Sequence, residues 1–308
     1  MRKKLFWLFA LLLVGVWLHH VWLRVGKPTM TDEIRAKSGK KSIRLSVGST
    51  AYELREGEGV PIVLVNGFSM PSVIWQNTFQ ALNDAGHTVL RYDLYGRGFS
   101  DRPNAKYDAD LYVTQLKDLT DKIFPKQKII LCGLSMGGAI SISFADKYPK
   151  KIEKLILIAP AGFPMETPAA AKIAKAPLIG DYIGRVGARR ALEKSMANIV
   201  STAIPPAIAS EALQQTEYAG YADAIVSTLR HMNLTGLEET YTRVGRTSLP
   251  VLLIWGKKDK VIPFANAALV RKAIPKADFL ELENAGHIPT VDEPAKTHAQ
   301  ILEFLGAE

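Results

Sequence analysis

Only one cysteine, Cys132, occurs in the 308 residues. That excludes an internal disulfide and a cysteine-rich zinc site. Internal repeats are missing, and the one biased tract is an alanine-rich patch near residues 169–176. Composition is ordinary for a globular chain, with 47% apolar and 22% charged residues, which excludes disorder and fibrous classes. The body also lacks a basic face. The net charge is +9, yet residues 1–41 carry nine basic side chains against Asp32 and Glu33, a surplus of seven. Residues 42–308 are left with a surplus of two. Nucleic acid is therefore excluded as a partner.

Leu5 to Leu18 contains no polar residue, and His19-His20 is followed by Val21-Trp22-Leu23. As a helix this stretch would span about 28 Å, close to the roughly 30 Å hydrocarbon core of a bilayer. Trp7, Trp17 and Trp22 lie towards its ends, where indole rings favour the interface. A cleaved signal peptide calls for a small-residue cleavage site that Val25-Gly26-Lys27-Pro28 does not supply. A core helix is not normally apolar on all sides. The expectation is an uncleaved single-pass anchor over residues 1–25 that makes membrane lipid a partner. A polar stalk over 26–42 would follow. The cluster Arg2-Lys3-Lys4 points to a body on the outer (periplasmic, extracellular or lumenal) face.

Beyond the stalk, short apolar runs alternate with helical patterns. Strands are expected at Val60–Val65, Thr88–Tyr92, Lys128–Cys132, Ile152–Ala159, Val251–Trp255 and Ala277–Leu282. Helices are expected at Val73–Ala85, Leu111–Phe124, Met136–Lys147, Phe264–Ala273 and Asp292–Leu305. The alternation implies an α/β fold, a mostly parallel twisted sheet with helices on both faces. Ile43–Val47 and the segment near Tyr52 would form an antiparallel hairpin at its edge. From Pro160 to about Ser248 no strand is evident, and Pro164, Pro168, Pro177, Pro205 and Pro206 punctuate short helical stretches. This reads as a helical lid inserted between two strands of one domain, 43–308.

Gly133-Leu134-Ser135-Met136-Gly137 falls between a strand and a helix. There a sharp turn flanked by small residues can hold a serine with its hydroxyl exposed, and the helix start favours developing negative charge. No Gly-Lys-Ser/Thr follows, which disfavours a phosphate loop. A serine nucleophile needs a base. Of six histidines, His287 lies in a loop after the last strand, at the carboxyl edge where parallel sheets place their sites. The base needs an acid to fix its tautomer. Asp259, four residues after the preceding strand, is the candidate. Asp93 competes, but its alternative role is to tie down the Gly96–Ser100 loop. The backbone N–H groups of Phe68 and Met136 are the candidate oxyanion donors, and both residues would contact substrate.

These pieces together resemble the α/β-hydrolase superfamily over about residues 50–305. Asn66-Gly67-Phe68, Asp93 to Ser100, Gly133 to Gly138, Trp255 to Asp259 and Gly286-His287 carry the resemblance, which is closest to monoacylglycerol-lipase-type lipases and esterases, some of them membrane-anchored. One departure is Asn66, where such proteins usually carry histidine to brace the loop. The resemblance implies a serine hydrolase of carboxylic esters, with lipid or other hydrophobic acyl groups as substrate and with no cofactor or metal. Two rivals stand beside it: a serine-dependent C–C bond hydrolase or proline-type peptidase on the same scaffold, and a catalytically silent membrane-tethered binding protein.

Overall fold

The computed structural model describes residues 4–7, 14–15, 19, 26–166 and 169–306. Helix α1 (Asp32–Lys37) starts at Thr31, whose Oγ1 accepts the Ile34 N–H. An antiparallel hairpin of β1 (Lys41–Arg44) and β2 (Ser49–Arg55) follows. The chain then alternates: β3 (Glu58–Val65), α2 (Gln76–Asp84), β4 (His87–Tyr92), α3 (Ala109–Ile123), β5 (Ile129–Leu134), α4 (Met136–Lys147) and β6 (Ile152–Ile158). Helices α5 (Ala169–Lys175), α6 (Ile179–Asn198), α7 (Pro206–Gln214), α8 (Tyr221–His231) and α9 (Glu238–Gly245) separate β6 from β7 (Val251–Gly256). The chain ends with α10 (Asn266–Ala273), β8 (Asp278–Leu282), α11 (Pro289–Asp292) and α12 (Pro294–Gly306).

The eight strands form one sheet in the order β1-β2-β4-β3-β5-β6-β7-β8. The β1–β2 and β2–β4 pairs are antiparallel and the others parallel. Because side chains alternate along a strand, each central strand feeds two cores. Val63, Val65, Leu131, Leu155, Leu157 and Leu253 enter one. Ile62, Leu64, Cys132, Ile156, Ile158 and Ile254 enter the other. Pro61 lies in β3 without a donor to give, and the pairing of β3 with β4 shifts register between Glu58 and Ile62.

The helical segment between β6 and β7 is closed at its base. The Leu237 N–H donates to Gly162 O at 2.8 Å, and the Tyr241 hydroxyl donates to Ala161 O at 2.7 Å. Residues 163–236 therefore leave and rejoin the body at one point.

Three expectations need revision. The single-pass N-terminal helix is overturned: among the described residues no helix is long and apolar enough to cross a membrane. An apolar run supplies composition, whereas spanning requires about 20 residues of continuous helix. Within that stretch, 8–13, 16–18 and 20–25 lie outside the described residues, and His19 Nδ1 sits 3.0 Å from the Tyr182 hydroxyl of α6. The outer-face location, which rested on the anchor, falls with it. The interval 26–42 carries α1, and Arg35 and Lys40 are buried, paired with Asp101 and Asp93. The final helix starts at Pro294 rather than Asp292, after the separate one-turn helix α11, because Pro294 cannot continue α11 and the preceding Glu293 leaves helical geometry at φ −132°, ψ 61°.

Candidate active site

Ser135 stands at the carboxyl end of β5 with φ 56° and ψ −118°, a backbone that side-chain-bearing residues rarely adopt. The surroundings enforce it. Ser135 N–H donates to Ile158 O at 2.9 Å, and Ser135 O accepts from Gly138 N–H at 2.9 Å and Ala161 N–H at 3.0 Å. Glycine is required here by contact. A Cβ on Gly137 would lie 2.1 Å from Val65 O, so only hydrogen lets the first turn of α4 meet the end of β3. Ser135 itself is half-buried at the amino end of α4.

Strand β7 ends at Gly256, where a Cβ would fall 2.3 Å from the carbonyls of Ala285 and Gly286. That absence of side chain lets the loop after β8 cross over the loop after β7. Asp259 is thereby brought to His287: Nδ1 and Oδ2 are 2.8 Å apart, with the carboxylate side chain fully buried. Asp259 Oδ1 accepts the N–H groups of Val261 and Ile262 at 2.8 and 2.9 Å. A carboxylate oxygen accepts, so this contact assigns Nδ1 as the donor and leaves Nε2 on the far side of the ring.

Asp93 is fully buried elsewhere. It accepts Ser72 N–H at 2.7 Å, the Ser72 hydroxyl at 2.6 Å and Phe99 N–H at 3.0 Å, and pairs with Lys40 Nζ at 3.2 Å. Burial opposes its charge. The Lys40 ammonium and these hydrogen bonds outweigh burial and hold the carboxyl below its ordinary range.

The loop after β3 passes directly against the serine. A Cβ on Gly67 would lie 3.3 Å from Ser135 Cβ and 3.8 Å from Oγ. Asn66 braces this loop through its side-chain amide, which donates to Met70 O at 2.6 Å. Phe68 is held by Arg97, whose Nε donates to Phe68 O at 2.9 Å and whose guanidinium lies 5.6 Å from the Phe68 ring centre. Arg97 is completely buried, and its remaining donors reach Tyr95 O, the Tyr112 hydroxyl and Thr228 Oγ1. Gln215 of the helical insert reaches the same region, donating to Ser69 O and accepting from Gly98 N–H. Sequence reasoning finds the Asp93 to Ser100 motif but neither of these braces, because Thr228 and Gln215 stand more than a hundred residues away. A cleft of about 900 Å³ lined by Arg102, Tyr107, Arg185 and Arg230 lies apart from Ser135, Asp259 and His287.

The family model described as "Serine aminopeptidase, S33" matches residues 60–290, from β3 into α11. An uncharacterized protein of Mycobacterium tuberculosis is 28% identical over 262 residues, covering 78% of this chain and 73% of its own. Lipase 1 of Psychrobacter immobilis is 27% identical over 278 residues, covering 87% and 85%. In three dimensions an esterase from Exiguobacterium antarcticum superposes with a TM-score of 0.75 at 19% identity, over 87% of this chain and all of that one. The protein is a hydrolase: its chain belongs to the serine aminopeptidase S33 family, within the α/β-hydrolase superfamily of serine hydrolases.

Proposed function

We propose that the protein is a serine esterase of monoacylglycerol-lipase type, cleaving carboxylic esters of lipid or other hydrophobic acyl groups. The observation that carries this reading is the 2.8 Å pairing of His287 Nδ1 with a buried Asp259, beside a serine held at positive φ. Similarity to Lipase 1 favours an ester over an amide bond.

In this reading His287 Nε2 takes the proton of Ser135 Oγ as the oxygen attacks the ester carbonyl. Asp259 stabilises the imidazolium that forms. The Phe68 and Met136 N–H groups hold the oxyanion, helped by the amino end of α4. The tetrahedral adduct collapses to an acyl-serine, and His287 passes its proton to the departing alcohol. Water then attacks the acyl-serine with His287 again as base, releasing the acid and free Ser135. The helical segment 160–248 serves as a lid on the domain 43–308, and its apolar residues offer contact to an acyl chain.

The test is labelling by a fluorophosphonate, followed by turnover of p-nitrophenyl esters of rising chain length beside aminoacyl anilides. The expected result is one label on Ser135 and hydrolysis of esters with a preference for longer acyl chains. Turnover of the anilides alone would overturn the ester assignment. A protein that neither labels nor turns over either class would overturn the enzyme.

A further inference from the structure

The loop that carries His287 is tied to the helical insert through one carboxylate, that of Asp292 at the end of α11. Asp292 Oδ1 accepts Ser201 N–H at 2.8 Å, Thr202 N–H at 2.9 Å and the Thr202 hydroxyl at 2.8 Å. Its Oδ2 accepts Gly286 N–H at 2.7 Å and Ser201 N–H at 2.9 Å. Next to this, His287 N–H donates to Ile199 O at 2.9 Å. Gly286 is closely enclosed, since a Cβ would sit 3.1 Å from Ser201 N and 3.2 Å from Asp292 Oδ2. Two successive amides of the histidine loop and two successive amides of the insert thus meet on one acidic side chain and one carbonyl.

We infer that Asp292 is a positioning residue for the reaction proposed above, fixing the backbone on either side of His287 and making residues 199–202 of the insert part of the catalytic frame. This rests on the reading of His287 as the base. Both carboxylate oxygens face N–H donors. An amide in its place has one acceptor oxygen and one NH2 group, so Asp292→Asn must set a donor against a donor on one side or the other. The variant keeps the volume and loses the clamp. Opening of the insert for substrate then takes place away from residues 199–202, which stay with the histidine.

The experiment uses the full chain. Asp292→Asn is compared with wild type by hydrogen–deuterium exchange of peptides covering 199–202 and 284–288, by kcat and KM on a water-soluble p-nitrophenyl ester, and by melting temperature. Both peptides are expected to exchange about tenfold faster and kcat to fall about tenfold, with KM within about threefold and the melting temperature nearly unchanged. Wild-type kcat in Asp292→Asn, or a loss that follows the melting temperature alone, overturns the role. Should the variant fail to fold, wild-type exchange decides: a common opening rate for the Gly286 and Ser201 amides supports the clamp, and unlike rates overturn it. If wild type itself neither labels nor turns over esters, the triad reading has failed, and the exchange data judge the clamp separately.

Discussion

Lys40 Nζ lies 3.2 Å from Asp93 Oδ2, and both side chains are buried. The pair joins the segment ahead of β1 to the loop after β4. Glu211 of α7 adds a second carboxylate 2.7 Å from the same ammonium, and the Phe99 ring centre is 5.3 Å away. Burial works against the Lys40 charge, but Asp93 and Glu211 more than offset it and raise its pKa. An ammonium so enclosed is expensive to leave unmatched.

Lys40→Met is therefore expected to destabilise the fold by about 3–5 kcal/mol at neutral pH, because it strands Asp93. Urea unfolding measures this. A chain shortened to begin at Ser42 loses the same ammonium and the buried Arg35 that pairs with Asp101, so its cost should be larger, whereas one beginning at Pro28 keeps both. Little loss in Lys40→Met would show that the pair is dispensable.

The pair also sets a pH dependence. Asp93 has a folded pKa below its unfolded value of about 3.9, so its contribution is present above about pH 4 and is lost as pH falls through the lower, folded value. Lys40 has a raised pKa, so its contribution is complete below about pH 10 and is lost as pH rises through the folded value. The stability gap between wild type and Lys40→Met should be widest between these limits and narrow towards pH 3, where Asp93 can take up a proton. A gap that stays constant down to pH 3 would count against the ion pair.

Ser135→Ala should abolish fluorophosphonate labelling and lower ester turnover by at least about 10³-fold, with the fold intact by circular dichroism. A folded variant that hydrolyses esters near the wild-type rate would remove Ser135 as nucleophile.

Asp259→Asn and Asp93→Asn should separate cleanly. The first is expected to cut kcat by about 10⁴-fold with little change in melting temperature, since the ring of His287 loses the partner that sets its tautomer. The second should lower stability by about 3–5 kcal/mol, leaving Lys40 with a single carboxylate. The reverse pattern would make Asp93 the acid.

Arg97→Lys keeps the charge but cannot span Phe68 O, the Tyr112 hydroxyl and Thr228 Oγ1 at once. If Phe68 N–H is an oxyanion donor, loosening its loop should cost about 10²-fold in kcat with smaller change in KM. Unchanged kcat would detach Arg97 from the site.

Legibility in the sequence follows the range of the interactions involved. The central strands are runs such as Ile129–Leu134 and Val251–Gly256, buried on both faces, so composition alone marks them. The Ser135 turn is equally local, because the glycines that permit it stand within two residues. Lys40, Arg97 and Asp292 show no such signature. Each has a partner far along the chain, 53, 131 and about 90 residues away, and a lone lysine in a polar stretch reads as solvated until the fold brings an acid to it. The apolar run before residue 24 suits a membrane by composition, yet among the described residues no helix is long and apolar enough to cross one.

The clasp between Gly162 and Leu237 makes the insert a cassette. Both ends of residues 163–236 stand at one backbone hydrogen bond, so a replacement of different length can be sewn in without moving β6, β7 or the loops beyond them. What it cannot do is replace the insert with nothing. Glu211, Gln215 and Thr228 are the insert's answers to Lys40, Gly98 and Arg97, and a chimera that omits them would leave two cations and an amide of the body each short of a partner. Exchange between relatives is thus constrained at these three positions and at residues 199–202, which hold the His287 loop, and within those limits the insert can be exchanged while the sheet and its serine stay untouched.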